Sequence, residues 1–256
     1  IFCILLLYRW TFSSSFFAMI LSKETKNPDF KAGQIIVIDK PLTWTSFNVV
    51  AKVRYAISRK LGVKKIKVGH AGTLDPLATG LLIICTGKFT KKIPELQGQA
   101  KEYAGTITVG GTTPSYDLET EVNETFGIDH ITPELIKATT AQFTGNIQQI
   151  PPVFSALKKD GKRLYEYARE GKPVKIMPRE VEISEFEITK IDLPKIDFRV
   201  VCSKGTYIRT LAHDFGKALN SGAHLSALRR TKIGDFNVDK AINPADFGKI
   251  MLGNDE

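Results

Sequence analysis

The chain has 256 residues, 25% of them charged and 43% hydrophobic, which argues against a disordered polymer and supplies enough apolar side chain for a substantial core. Against 27 Asp and Glu stand 36 Lys and Arg, a formal net charge of +9 with an isoelectric point near 9.3, so a polyanion such as RNA or DNA is the expected partner. Cys3, Cys85 and Cys202 show no CxxC spacing and no histidine-rich neighbourhood, which argues against a disulfide framework or a structural zinc site and points to a reducing cytoplasm.

The apolar stretch at residues 1–8 is too short to cross a bilayer and lacks the basic flank and small-residue cleavage site of a secretory signal. We read residues 1–33 as an N-terminal extension, with 1–18 an over-extended gene model and translation starting at Met19; a cleaved targeting peptide is the alternative. From Gln34 the pattern is that of one compact mixed domain, extending to 245. "QIIVIDKP" reads as a buried strand ended by Pro41. In "TSFNVVAKVRYAISRKLG" apolar residues recur at helical spacing, with Thr45 or Ser46 as N-cap and Gly62 placed to end the helix.

"GLLIICTG" and "KEYAGTITVGG" read as strands, the second turning out at Gly110 and Gly111; "TPELIKATTAQF" is a helix with Thr132 as cap and Pro133 at its first position. "VEISEFEITKI" and "IDFRVVCSKG" form an antiparallel pair joined by "DLPK", "TYIRTLAHDFGKALNSG" is a helix closed near Gly222, and residues 246–256 are a short tail. The fold class is therefore α+β, built on a mixed, largely antiparallel central sheet. No GxGxxG follows a strand and no GxxxxGK[ST] occurs, so nothing supports nucleotide-cofactor chemistry.

Basic residues gather in three places. Residues 52–67, "KVRYAISRKLGVKKIK", carry seven Lys or Arg and no acid, including Lys64, Lys65 and Lys67. A second stretch holds Lys158, Lys159 and Arg163 beside Tyr165 and Tyr167, and a third holds Arg229 and Arg230. Each alone is a solvated face; together they suit a nucleic-acid surface, since phosphates need distributed cations and unpaired bases reward nearby aromatics.

"GHAGTLDPLATGLL" sets Asp75 between glycines and an apolar run. Read locally, Asp75 before Pro76 is a helix N-cap with proline at the first helical position, and His70 is a packed or turn histidine. The order of the segments adds another reading. "DKPLTWTSFNVV" (39–50), "KVGHAGTLDPLATGLLIICTGKFTK" (67–91), "KEYAGTITVGGTTPSYD" (101–117), "QIPPVFSALKKDGKRLYEYAREG" (149–171) and "CSKGTYIRTLAHDFGKALNSGAHLSALRRTKIGDF" (202–236) together resemble the TruB family of tRNA pseudouridine synthases.

That resemblance implies a pseudouridine synthase fold and an isomerase that flips uridine-55 out of the tRNA T loop, breaks its glycosidic bond and rejoins the uracil through C5. No atom is added and no electron leaves, so no cofactor is expected. It implies Asp75 as the reacting carboxylate, Arg209 as the guanidinium that fixes its direction, and Tyr103 as the ring stacked on the target base. Tyr207 would line the pocket and take the C5 proton; alternation in an extended segment would put it on the same side as Arg209. His70 would stabilise flipped-out nucleotides, Leu228 would form an aliphatic wall, and Lys40 and Asp117 would support. Lys64, Lys65, Lys67, Lys158, Lys159, Arg163, Arg229 and Arg230 would meet RNA, with an RNA-binding insert near 150–175.

Two departures stand out against the family pattern. Thr43 occupies a position that is often glycine, and Pro114 one that is often acidic. The chain is also expected to lack the C-terminal RNA-binding domain of longer relatives, so that RNA affinity would come from the catalytic domain and its insert. A cytoplasmic monomer acting on tRNA, with no membrane contact, is the expectation; a tRNA-folding chaperone without chemistry is the alternative.

Overall fold

The computed structural model describes residues 28–253, so the expectations about Met19, residues 1–18 and Cys3 lie outside the described residues. The first half of the described chain runs β1 (Ile35–Lys40), α1 (Ser46–Leu61), β2 (Val68–His70), β3 (Ala78–Thr86), α2 (Ile93–Gly98), β4 (Lys101–Val109), β5 (Gly111–Thr112), β6 (Glu124–Thr125), α3 (Pro133–Ala141) and β7 (Gly145–Gln149). The second runs β8 (Lys158–Lys159), β9 (Lys162–Arg163), α4 (Leu164–Arg169), β10 (Arg179–Asp192), β11 (Lys195–Cys202), α5 (Ile208–Ala218), β12 (Ala223–Ile233), β13 (Phe236–Asn237) and α6 (Pro244–Leu252).

The main sheet has nine strands in the order β1-β3-β12-β4-β11-β10-β7, with β2 joined to β3 and β13 to β12. Its pairings are antiparallel except between β3 and β12, where Leu228 lies opposite Ala78 and Arg230 opposite Gly80. This is the α+β fold around a largely antiparallel mixed sheet expected from the sequence. The pairs β5–β6 and β8–β9 form separate ribbons.

Continuous and alternating apolar runs have different fates. In β1 and β3 every face is covered: Ile36, Ile38, Leu82 and Ile84 pack under α1 and α6, while Ile35, Val37, Leu81, Ile83 and Cys85 pack on the other side with Leu96 and Phe236. A strand buried on both faces needs apolar residues at successive positions. Strands β4 and β11 alternate instead. Ile107, Ile196, Phe198 and Val200 face α3 and α5, while Thr106, Asp197 and Arg199 form an open polar face on which Thr106 Oγ1 donates to Asp197 at 2.7 Å and Arg199 pairs with Glu102, Glu185 and Glu187.

Helix α1 is capped at Thr45, whose hydroxyl accepts from the Asn48 N–H at 3.0 Å, and closes at Gly62 in the left-handed region (φ 61°). Helix α3 starts at Pro133 behind the Thr132 cap, as its sequence dictates. Residues 246–252, read from sequence as part of a short tail, instead belong to helix α6. Its Phe247 and Met251 complete the α1 core, because a proline behind the Asn243 cap nucleates it and its apolar face has a place to go. Among the described residues no helix is long and apolar enough to cross a membrane, and no cluster of potential metal ligands occurs.

Candidate active site

Asp75 lies on the link between β2 and β3. No helix follows it: the Ala78 N–H donates to the Asp75 carbonyl at 3.1 Å, and Pro76 and Leu77 turn directly into β3. The local capping reading is thereby corrected, because β3 begins three residues on and captures the chain. The Asp75 side chain is left 41% exposed, and its Oδ2 lies 2.9 Å from Arg209 Nε.

Four neighbours set the path of this link. Ser46 Oγ accepts from the Leu74 N–H at 2.9 Å and donates back to the Leu74 carbonyl at 3.2 Å. The Thr43 N–H donates to the Pro76 carbonyl at 2.9 Å, from a residue with φ 68°; the glycine-like turn is therefore kept with a threonine in it. Lys40, fully buried, donates to the carbonyls of Pro41, Trp44 and Pro76 at 3.0, 2.6 and 3.4 Å. Burial pulls its pKa down to about 8, against the opposing pull of the Asp75 charge.

Arg230 is the fourth. Expected as an RNA-facing cation, it is 1% exposed and spends its guanidinium on the carbonyls of Leu81, Thr73 and Gly72 at 2.8, 3.4 and 3.1 Å. Its place on β12 opposite β3 turns the side chain inward, so the expectation is corrected.

Arg209, 4% exposed, sits between two carboxylates: besides Asp75, Asp117 Oδ2 is 3.6 Å from its Nε. The Nε hydrogen is poorly aligned to either, which makes these ion pairs rather than directed hydrogen bonds, while Nη1 donates to the Ser115 carbonyl at 3.3 Å. Asp117 is buried and fixed by the Glu119 N–H at 3.0 Å. The expected alternation of Tyr207 and Arg209 is corrected: Tyr207 is the N-cap residue of α5 and Arg209 lies in its first turn, because the helical run through "IRTLAHDF" begins immediately after Tyr207.

Both nevertheless line one cavity of about 850 Å³, together with Asp75, Tyr103 and Leu228. A smaller apolar cavity of about 130 Å³ adjoins it, sharing Asp75, Arg209 and Leu228 and adding Leu42, Leu77, Leu118 and Asp117. Tyr103 is almost wholly buried on β4, and burial raises its phenol pKa. His70 ends β2, half-buried, with Nδ1 unpartnered and the ring pKa lowered by burial; it is not among the residues lining either cavity.

Lys64, Lys65 and Lys67 are exposed between α1 and β2, and Lys158, Lys159 and Arg163 are exposed on the β8–β9 ribbon, with Arg163 reaching the large cavity. Arg229 is held by Asp39 in a two-bond pair at 3.0 and 2.7 Å. Sequence reasoning missed Lys101, Lys204 and Arg179 of the cavity wall, as well as Gln149, which bonds the Tyr207 main chain. A basic residue immediately before "GTYIR" was the only available signal, for Lys204.

The TruB family pseudouridylate synthase N-terminal domain matches residues 58–208, and the tRNA pseudouridylate synthase B C-terminal domain matches 209–256. The tRNA pseudouridine synthase B of Flavobacterium johnsoniae is 65% identical over 224 residues, covering 87% of this chain and 98% of that protein. That of Phocaeicola vulgatus is 57% identical over 219 residues, covering 86% and 93%. Among solved structures, a chain of a Cbf5-Nop10-Gar1 complex superposes with a TM-score of 0.64 at 31% identity; the match covers 86% of this chain and 54% of that one, so this chain spans about half its length.

Fold and site thus define a pseudouridylate synthase, an isomerase. The chain belongs to the TruB family.

Proposed function

We propose that this protein converts uridine-55 in the T stem-loop of tRNA into pseudouridine, with Asp75 as the reacting carboxylate, and that it works as a cytoplasmic monomer. One observation carries the reading: a half-exposed carboxylate at a cavity mouth, 2.9 Å from a buried guanidinium and flanked by Tyr103, Tyr207 and Leu228. The tRNA substrate is supported by the similarity to tRNA pseudouridine synthase B proteins over nearly their whole length.

The reaction breaks the N1–C1′ bond, turns the uracil and joins C5 to C1′; the proton lost from C5 is balanced by one gained at N1, which carries none while it is bonded to C1′. The uridine must leave its stack to enter the cavity. Asp75 then either attacks the ribose, giving an ester, or takes a ribose proton, giving a glycal; Arg209 orients it in both cases. Tyr103 stacks on the base, Leu228 closes the pocket, Tyr207 receives the C5 proton, and His70 steadies nucleotides displaced by flipping. Lys40 and Asp117 hold Asp75 and Arg209 in place. The exposed lysines near 64–67 and the ribbon in the 150–175 insert, with Arg229, meet the phosphates.

The test is tritium release from 5-[³H]uridine in a T-arm stem-loop. Release by the native chain and none by Asp75→Asn, with RNA affinity held within about threefold, is the expected result. Turnover by Asp75→Asn would remove Asp75 from the chemistry; tight RNA binding without release from either protein would favour the chaperone alternative.

A further inference from the structure

The residues at the two roots of the insert both grip Tyr207. Gln149 ends β7, Arg179 begins β10, and the two lie opposite each other across the sheet edge, with segment 150–178 between them. Gln149 Oε1 accepts from the Tyr207 N–H at 2.7 Å, and its Nε2 donates to the Tyr207 carbonyl at 3.0 Å. The Arg179 guanidinium lies over the Tyr207 ring, 4.7 Å from its centre, and bonds the Gly205 carbonyl just before it. A further bond, Thr210 Oγ1 to the Ile150 carbonyl at 3.3 Å, ties the same two segments.

These contacts are more than packing. Tyr207 precedes α5 and has no side-chain cap, so its N–H, which a helix start leaves without a regular partner, is taken by Gln149, while its carbonyl accepts from Gln149 as well as from the Leu211 N–H of the helix at 3.1 Å. Gln149 is 1% exposed and does not line the large cavity, so it has no access to RNA. Any effect it has on the reaction must pass through what it holds.

Resting on the functional reading above, we propose that Gln149 is a positioning residue for Tyr207. It fixes the tyrosine main chain while Arg179 fixes the ring, and so couples the seating of RNA on the insert to the group that handles the C5 hydrogen. Arg179 lines the cavity and meets substrate itself, which makes Gln149 the cleaner place to test the idea.

Gln149→Leu removes both bonds at similar volume. The expected result, on a stem-loop carrying hydrogen or deuterium at C5, is a fall in kcat of about tenfold or more with KM within about threefold, since small misplacements of reacting groups are costly. The deuterium effect on turnover should rise above that of the native chain, because transfer from C5 becomes slower than the steps that precede it. A generally loosened fold would lower activity without enlarging that effect. Should Gln149→Leu prove unstable, Gln149→Glu still accepts from the Tyr207 N–H but has no donor for the carbonyl when ionised, and should give the same split in milder form. Native kcat, a change confined to KM, or a lower kcat with an unchanged deuterium effect would each overturn the proposal. These outcomes are separable from the Asp75→Asn test: a dead Asp75→Asn protein beside native-like Gln149 variants rejects this inference alone.

Discussion

Thr43 holds a left-handed backbone conformation at φ 68° with its side chain exposed. For a residue with a β-carbon that conformation costs about 1–2 kcal/mol, and glycine would escape it at an entropic cost of about 0.5–1 kcal/mol. Thr43→Gly should therefore stabilise the chain by about 0.5–1 kcal/mol, read as a higher denaturant midpoint with unchanged slope. A lower midpoint would mean that the threonine side chain contributes more than the strain it imposes.

Lys40 makes a prediction of a different kind. Its pKa is about 8 when folded against 10.5 as a free side chain, so between those values the unfolded chain holds more protons at this site than the native one. Stability contributed at Lys40 then rises with pH through that window, at a rate approaching about 1 kcal/mol per pH unit. Relative to the native chain, Lys40→Met should lose progressively more stability from pH 7.5 to 9.5 in denaturant titrations. A constant difference would show that Lys40 keeps its ordinary proton affinity.

Sequence resolved Asp75, Tyr103, Tyr207, Arg209 and Leu228 into one cavity wall only because their spacing resembled a family; residue chemistry alone favoured a helix cap at Asp75. It misjudged Arg230, since nothing in "LRRTK" says which of two adjacent arginines faces the core. Pairing decides that: Arg230 turns in toward the carbonyls of the Asp75 link, and Arg229 turns out toward Asp39.

At the scale of elements, caps and periodicity were reliable guides. The ends of α1 and α3 follow from Thr45, Gly62, Thr132 and Pro133, and the doubly covered β1 and β3 follow from unbroken apolar runs. Helix α6 was missed because nine residues make too short a run for a period to show; the core under α1, built from distant residues, gives its Phe247 and Met251 their place.

The loop between α1 and β2 carries Lys64, Lys65 and Lys67, all exposed, and runs straight to the strand before Asp75. Replacing Lys64 and Lys65 by Ala should weaken RNA binding and shrink the slope of log affinity against log salt by about 1–2, the change expected when two phosphate contacts are lost. An unchanged slope would place the RNA backbone elsewhere.

Across the whole molecule, the site depends on one pairing. The parallel contact of β3 with β12 brings Ala78 beside Leu228 and lets Arg230 reach Gly72 and Thr73, residues more than 150 positions away in sequence. Neither hydropathy pattern nor turn chemistry specifies which strands become neighbours, so strand order stayed illegible; β1, β3, β4, β10 and β11 were visible, but β12 itself was not read as a strand. Loop closure over such distances is entropically costly and is repaid only when the sheet is complete. The cavity therefore exists only in the fully assembled fold.

The two cysteines on the sheet turn this cooperativity into a readable signal. Cys85 and Cys202 are buried, on β3 and β11, and burial pushes their thiols up to about 12 and about 11. Near neutral pH almost none of either is thiolate, the form that alkylating agents attack. Iodoacetamide should thus leave the peptides containing Cys85 and Cys202 unmodified in the native chain and mark both, at matching rates, as denaturant approaches the unfolding midpoint. Earlier marking of one would reveal that its strand opens separately, so the protein carries its own chemical clock for the order in which its sheet comes apart.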